Sequence, residues 1–412
     1  MPEFLRLLPP QEALERWQSH LPPAAPVRTE VIPTEAALGR VLAEPATASE
    51  PLPAFARSTV DGYAVRAADT YGASAALPAY LTLAGEVPMG GAPGFRLGAA
   101  QAALVHTGGM VPEGADAVVM VEDTQAVRGD EVEVLRPLAV GQNVIPIGED
   151  VQAGQVVIHA GQLLRPQEIG GLMALGIRQI TVAGRPRVAI LSTGDEVVAP
   201  EQHPTPGQVR DVNSYTLAAL VEAAGGQAYR LGIFPDQFEA LLSAAQKTHA
   251  ESDVVLVTAG SSVSTRDLTA RVIERLGPPG VVVHGVAIKP GKPTILAVCQ
   301  GIPVVGLPGN PVSALVIARV FVVPLLRRLL GQTEDRPQPS ARARLTTNVA
   351  SETGREDYQP VRLVPGGDGW QAEPIYGRSN LIFTLSRADG LVRIPPEATG
   401  LPAGAEVDVL LF

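Results

Sequence analysis

Between residues 186 and 330 the chain alternates short, strongly apolar runs with amphipathic stretches, and this alternation restricts the fold more than any other feature. "RVAILSTG", "YRLGIF", "DVVLVTAG", "TILAVC" and "IPVVGLPG" read as buried strands. "SYTLAALVEAAGG", "DQFEALLSAAQKT", "TRDLTARVIERLG" and "NPVSALVIARVFVVPLLRRLL" read as helices. Such an order predicts a central three-layer α/β/α domain with a mostly parallel sheet. Ligands of such sheets bind outside the carboxyl ends of the strands.

The chain has 412 residues, more than one core supports, so further domains are expected. Residues 58–139 carry short alternating runs ("AYLTLAGEV", "QAALVHTG", "ADAVVMVED", "DEVEVLRPL") between Gly, Pro and Asp clusters, the texture of a small β-rich domain. Residues 1–57 and 140–185 flank it as a discontinuous N-terminal linker domain. They are proline-rich, with helical spacing in "PTEAALGRVLAE" and "RPQEIGGLMALGI". After residues 186–331, a polar linker leads to residues 332–412, which read as a second small β domain. The expected fold class is therefore multidomain α/β and β.

A formal charge of −10 argues against nucleic acid as a partner, so an anionic ligand must be held locally. The single cysteine, Cys299, lies in an apolar run and reads as inert core. Its isolation excludes disulfides and thiolate metal sites and fits a reduced, cytoplasmic setting. The opening residues lack the pattern of a signal peptide. The longest apolar run, "SALVIARVFVVPLL", is broken by Arg319 and Pro324, so it reads as a buried helix and no membrane association is expected.

Only three of the 32 basic residues are lysines, and two of them, Lys289 and Lys292, share the turn "KPGKP". Lysine offers a compact point charge on a flexible stem, and the prolines stiffen the turn from which both project. The pattern reads as a clamp for a phosphate or other oxyanion; a solvated turn is the alternative. In "LPGNPVSAL", Asn310 can cap a helix that begins at Pro311, while Gly306 and Gly309 leave backbone N–H groups accessible ahead of it. That is an anion site or an ordinary strand-to-helix turn.

Other candidates are weaker taken singly. "STGDEVV" presents Asp195 and Glu196 at a strand's carboxyl end, where carboxylates can hold Mg²⁺ together with substrate phosphates, although Gly-Asp turns are common. "TAGSSVSTRDL" offers hydroxyls and Asp267 near a helix start, with capping by Ser264 or Thr265 as the alternative. Asp236 and Glu239 have capping-box spacing. Asp61, before Gly62, can serve a turn. The six histidines show no metal-ligand spacing, and neither a nucleophile elbow nor a Walker loop is present.

Taken together, "STVDGYAVR", "HTGGMVPEGADAVVMVE", "GED", "VAILSTGDEV", "GQVRDVNS", "VAIKPGKP" and "GLPGNPVSA" stand in the order seen in the molybdopterin molybdenumtransferase family, the MoeA proteins and the C-terminal domain of gephyrin. The chain resembles that family over essentially its whole length. The resemblance implies an elongated homodimer in cytoplasmic molybdenum cofactor biosynthesis, which uses Mg²⁺ to insert molybdate into adenylylated molybdopterin with release of AMP. It implies Lys289, Lys292 and Ser379 as molybdate contacts and Asp61, Thr107, Asp150, Glu196, Asp236 and Asp267 as catalytic positions, with Glu196 and Asp267 holding metal. Molybdopterin would be bound by Ser192, Thr193, Gly194, Gly260, Ser262, Pro308, Gly309 and Asn310. The molybdopterin adenylyltransferase and recipient molybdoenzymes are the implied protein partners.

One segment departs from the family pattern. Where the family carries Ser-Gly-Gly-x-Ser-x-Gly, this chain has the shorter "TAGSSVSTRD", with Ser261 and Ser264 in place of glycines. Serine tolerates close approach and positive φ less well than glycine, so the pterin or phosphate cradle ahead of Asp267 is expected to be altered. A molybdopterin-binding scaffold without turnover and tungstate insertion stay open as alternatives.

Overall fold

The computed structural model describes residues 7–126, 129–258, 263–333 and 339–412. The chain enters with helix α1 (Pro10–Gln18), and its central region runs β1 (Arg187–Thr193), α2 (Asn213–Ala223), β2 (Gln227–Phe234), α3 (Phe238–Glu251), β3 (Val254–Thr258), α4 (Val263–Glu274), β4 (Pro279–His284), β5 (Ile295–Cys299), β6 (Ile302–Leu307) and α5 (Pro311–Ile317). The six strands form one sheet in the order β2-β1-β3-β6-β5-β4. The first four are mutually parallel, whereas β5 pairs antiparallel with both β6 and β4.

The antiparallel part has a local cause. Only Gln300 and Gly301 separate β5 from β6, too few for a parallel crossover, and both have positive φ (50° and 83°), as a primed hairpin turn requires. Strand β4 is not among the runs expected from sequence. Its "PGVVVH" is short, starts on a proline and stands between turns, so propensity alone does not distinguish it from a loop.

Alternation along each strand sends side chains to two separate cores. Val188 and Ile190 of β1 and Val254 and Leu256 of β3 pack with Leu217 and Val221 of α2. Leu191, Val255 and Val257 pack instead with Leu241 and Ala245 of α3 and with Val272 and Ile273 of α4. Helix α1 joins the first core rather than the linker region. Trp17 is fully buried, and its indole N–H donates to the Ala297 carbonyl at 2.9 Å.

The run after β6 is one continuous buried helical stretch, as expected. Residues Ala318–Val322 form a wide π turn between α5 and a further helix, Val323–Leu329. Pro324, which cannot donate a backbone hydrogen bond, follows at once. "PTEAALGRVLAE" departs from its helical expectation: it forms only a 3₁₀ turn over Thr34–Ala36, and the chain leaves it through Gly39 at φ 73°. "RPQEIGGLMALGI" does form a helix, Pro166–Ala174.

Residues 62–134 contribute a six-stranded, largely antiparallel sheet with its own core around Val65, Leu81, Val119 and Val132. At the other end of the chain, strand Glu356–Gly366 pairs with Gly369–Pro374, which pairs with Ser340–Leu345. Glu406–Leu411 and Gly390–Ile394 follow, and the latter pairs back to Glu356–Gly366, closing a ring. A two-residue strand, Ile288–Lys289, joins that ring parallel to Glu356 and Asp357. The lysine turn is thus stitched to the C-terminal barrel.

Candidate functional site

Two neighbouring clefts lie where the parallel strands end and the C-terminal barrel approaches. The first, about 560 Å³, is lined by Ser192, Thr193, Glu196, Asp211, Gly309 and Asn310, among others. The second, about 810 Å³, is lined by Lys289, Lys292, Asp357, Tyr358, Arg378 and Ser379, among others. Asn310 and Asn380 line both. Carboxyl ends of parallel strands are where the alternating sequence pattern places a ligand.

The first cleft is built on a buried polar network. Asp211 accepts from the hydroxyls of Ser192 (2.8 Å) and Ser214 (2.7 Å) and from the Ser214 backbone N–H (3.1 Å). Thr193 donates to the Thr258 carbonyl at 3.2 Å. The hydroxyls of Ser192 and Thr193, expected to face a ligand, are therefore engaged with protein, and both residues are buried. Gly194 has φ 141°, and a Cβ there would lie 2.8 Å from Val197 Cγ2 and 2.9 Å from Glu196 Oε2. Glycine is required for the turn that delivers Glu196 to the cleft. Asn213, at the start of α2, donates to the Gly309 carbonyl at 2.8 Å and so fixes the loop that precedes α5.

That loop corrects two expectations. Gly306 lies inside β6 and is buried, so its N–H belongs to the sheet. Asn310 does stand at the N-cap of α5, but its side chain makes no capping bond. Its amide donates to the Ser379 hydroxyl at 3.0 Å, while the Ser379 carbonyl accepts the Val312 N–H at 3.0 Å. A residue of the barrel caps the helix and occupies one donor that the anion-site reading had left open.

In the second cleft the lysine turn is held by its backbone. Thr294 donates its hydroxyl to the Gly291 carbonyl at 2.7 Å, and the Val286 N–H reaches the Lys292 carbonyl at 3.0 Å. Both lysine side chains reach solvent. The Lys289 ammonium lies 3.5 Å from Asp357 Oδ2, whereas Lys292 takes no ion-pair partner among the described residues. On the other face of the same strand the Tyr358 hydroxyl donates to Glu356 at 2.6 Å. Burial first, then the bond to and charge of Glu356, hold that hydroxyl well above its usual range.

Of the remaining candidates, Asp61 and Thr107 meet in the small β unit. The Asp61 carboxylate accepts the Thr107 N–H at 2.9 Å. His106, not singled out from sequence, stands beside them, with Nδ1 3.8 Å from Asp61 and Nε2 3.0 Å from Glu86. No described residue of 58–139 lines either cleft. Asp150 is exposed and donates its N–H to the Leu52 carbonyl. Asp236 is not a cap, because α3 begins at Phe238 with Gln237 before it. Its backbone N–H instead reaches Asp195 at 3.1 Å, joining the loops after β1 and β2. Asp267 is exposed in the second turn of α4, and Ser264 and Thr265 lie within that helix rather than before it. Pro308 is buried. Pro308, Gly194 and Asp267 are not among the residues that line the two clefts. Gly260 and Ser262 lie outside the described residues. Among the described residues no three His, Cys, Asp or Glu side chains gather as a metal site, and no helix is long and apolar enough to cross a membrane.

Comparison with known proteins decides the family. Residues 8–176 match the MoeA N-terminal region (domain I and II), residues 189–328 a probable molybdopterin binding domain, and residues 342–412 the MoeA C-terminal region (domain IV). Molybdopterin molybdenumtransferase 2 of Mycobacterium tuberculosis is 35% identical over 393 residues, covering 93% of this chain and 95% of its own. The chain belongs to the molybdopterin molybdenumtransferase family. The Nostoc molybdopterin molybdenumtransferase is also 35% identical, over 93% of this chain and 88% of its own. A crystal structure of the MoeA protein of Pyrococcus horikoshii OT3 superposes with TM-score 0.86 at 32% identity, over 99% of this chain and 100% of that one. Members of this family are enzymes of molybdenum cofactor biosynthesis, and their multidomain architecture is the one seen here.

Proposed function

We propose that the chain inserts molybdate into adenylylated molybdopterin in a Mg²⁺-dependent reaction that releases AMP. The observation that carries this reading is the junction of two clefts at Asn310 and Asn380, one at the strand ends and one holding both clustered lysines. The first suits the pterin and its phosphates, the second a tetrahedral dianion.

The chemistry balances without electron transfer. Water adds across the phosphoanhydride, so that its oxygen ends on one phosphorus, the bridging oxygen leaves with the other, and a proton is released. Molybdate gives up one oxo ligand as water, taking the two thiol protons, while both dithiolene sulfurs bond to hexavalent molybdenum. Lys289 and Lys292 supply the local positive charge that a chain of net charge −10 otherwise lacks, and they neutralise the incoming oxyanion. Ser379, held by Asn310, orients it. Glu196 fits a Mg²⁺ site of the kind that uses one carboxylate plus substrate phosphates, because the other lining carboxylate, Asp211, already accepts three hydrogen bonds. Bound there, the ion would offset phosphate charge.

Asp61, Thr107, Asp150, Asp236 and Asp267 belong to the proposal as catalytic positions. None of the five lines either cleft in the protomer, and we read the working form as a homodimer in which the partner's β unit and linker region, the regions that hold Asp61, Thr107 and Asp150, complete the site. The two cores on opposite faces of the central sheet support a three-layer α/β/α reading of residues 186–331, with the other domains divided as the sequence suggests. A cytoplasmic location, and transfer partners that supply the adenylylated pterin and accept the cofactor, complete the reading.

The test is a release assay with purified protein, adenylylated molybdopterin and Mg²⁺, in which AMP is followed as molybdate is added. Molybdate-dependent release that disappears in Lys289→Ala is the expected result. Tight binding of the pterin with no release would overturn the enzyme in favour of a carrier.

A further inference from the structure

Asp357 is an odd residue to find in a cleft suited to oxyanions. Its side chain is only 7% exposed, it lines the same cavity as Lys289 and Lys292, and its negative charge opposes the binding of any anion there. A buried carboxylate is tolerated only when paired, and both of its oxygens are. Oδ1 accepts from Arg355 Nε at 3.0 Å, and Oδ2 faces the Lys289 ammonium at 3.5 Å. Arg355 in turn pairs with the exposed Glu352 at 2.9 Å. The backbone fixes this arrangement: Lys289 and Asp357 are register partners on parallel strands, and the Glu356 N–H donates to the Ala287 carbonyl at 2.8 Å. On the opposite face, the buried Glu356 carboxylate is held by Tyr358 and by Arg393, both at 2.6 Å, so a rotation or slip of the strand would also break the pairing of this second buried carboxylate.

From this geometry we propose that Asp357 is a positioning residue. It holds the Lys289 ammonium at the mouth of the cleft from the barrel side, leaving the remaining ammonium protons for the oxyanion. Lys289 is 56% exposed and has a long, rotamer-rich side chain. Without an anchor its charge would sample the cleft rather than sit at one point in it. The arrangement exchanges some anion affinity for orientation. Because both Asp357 and the barrel strand belong to residues 339–412, it also makes the lysine turn of the central sheet dependent on the C-terminal barrel. This inference rests on the reading of the cleft as the oxyanion site.

The proposal separates the two kinetic constants. Asp357→Asn removes one negative charge from the cleft while keeping the shape, so the KM for molybdate should not rise, whereas kcat should fall by about 10-fold or more as the ammonium loses its place. Asp357→Glu, which restores the charge, should recover part of kcat. A merely structural role predicts a different pattern: a raised KM, a lowered melting temperature and no rescue by glutamate. That pattern would overturn the proposal.

A second readout does not depend on turnover. With only three lysines in the chain, reductive ¹³C-dimethylation gives three lysine signals, and Lys289 is assigned by its loss in Lys289→Arg. In Asp357→Asn the Lys289 signal should shift while that of Lys247 stays. An unmoved Lys289 signal would overturn the positioning role. A shifted signal in a protein that releases no AMP in any form would support the positioning role and sink the proposed function instead.

Discussion

Asn310 gives up capping its own helix in order to donate to the Ser379 hydroxyl, 3.0 Å away in the C-terminal barrel. A free cap contributes about 1 kcal/mol to helix stability, and here that contribution comes from the Ser379 carbonyl, which accepts the Val312 N–H. Ser379→Ala keeps the carbonyl and removes only the hydroxyl. It should leave the melting temperature nearly unchanged and lower molybdate-dependent AMP release by roughly 10-fold to 100-fold. A variant with full activity would show that the hydroxyl serves the fold alone.

Of the two carboxylates that line the first cleft, Glu196 and Asp211, Asp211 is the one engaged by hydroxyl donors. Glu196→Gln should raise the Mg²⁺ concentration needed for half-maximal AMP release by at least about 10-fold, with an unchanged circular dichroism spectrum. A metal titration that superimposes on the wild type would remove Glu196 from the metal site.

Burial pushes the Cys299 thiol up to about 11, against about 8.5 in an unfolded chain. The folded state thus holds its proton where the unfolded state releases it. The stability that depends on this group is complete below about pH 8.5 and is lost as pH rises towards 11. Urea midpoints at pH 7.5, 9 and 10.5 should fall more steeply for the wild type than for Cys299→Ala. Parallel curves would contradict the shift. At pH 8 the folded protein should also resist a disulfide reagent that labels it at once in urea.

Trp17 is fully buried and Trp370 is half exposed. In Trp370→Phe the remaining emission should be blue-shifted and nearly inaccessible to iodide. Trp17→Ala should cost about 3–5 kcal/mol, measured as a lowered urea midpoint, because it opens a void against the central sheet and removes the indole hydrogen bond to the Ala297 carbonyl. A loss under about 1 kcal/mol would show that α1 is peripheral.

What the sequence made legible follows from how local each signal is. The parallel strands β1, β2, β3 and β6 and the helices between them are written in adjacent residues, as periodicity and glycine stops. The lysine pair stood out because lysine is otherwise so scarce in this chain. Relationships between distant residues left no such mark. Nothing around Asp357 announces that Lys289 lies beside it, and Asn310 looks like a cap because its true partner, Ser379, is elsewhere in the chain. His106 carries no spacing signal because its partners are distant in sequence, Glu86 at the end of one strand and Asp61 just before another. Asp236 fitted the capping-box pattern, yet the helix begins two residues later, where the chain has turned away from the loop that Asp195 pins.

The first core draws Leu8, Ala13, Trp17 and Leu21 from one end of the chain and Leu385 and Leu391 from the other, around strands from the middle. On a ribosome these pieces emerge tens of seconds apart at ordinary elongation rates. The helix that carries Trp17 is made long before the sheet it covers. That sheet, once made, keeps an apolar flank uncovered until the barrel that bears Leu385 and Leu391 has followed. The small β unit draws its two cores from residues 56–144 alone and can fold while the rest is still being made. The central sheet is fully covered only once the barrel has been made, so the nascent chain carries an exposed apolar flank that the folded protein does not.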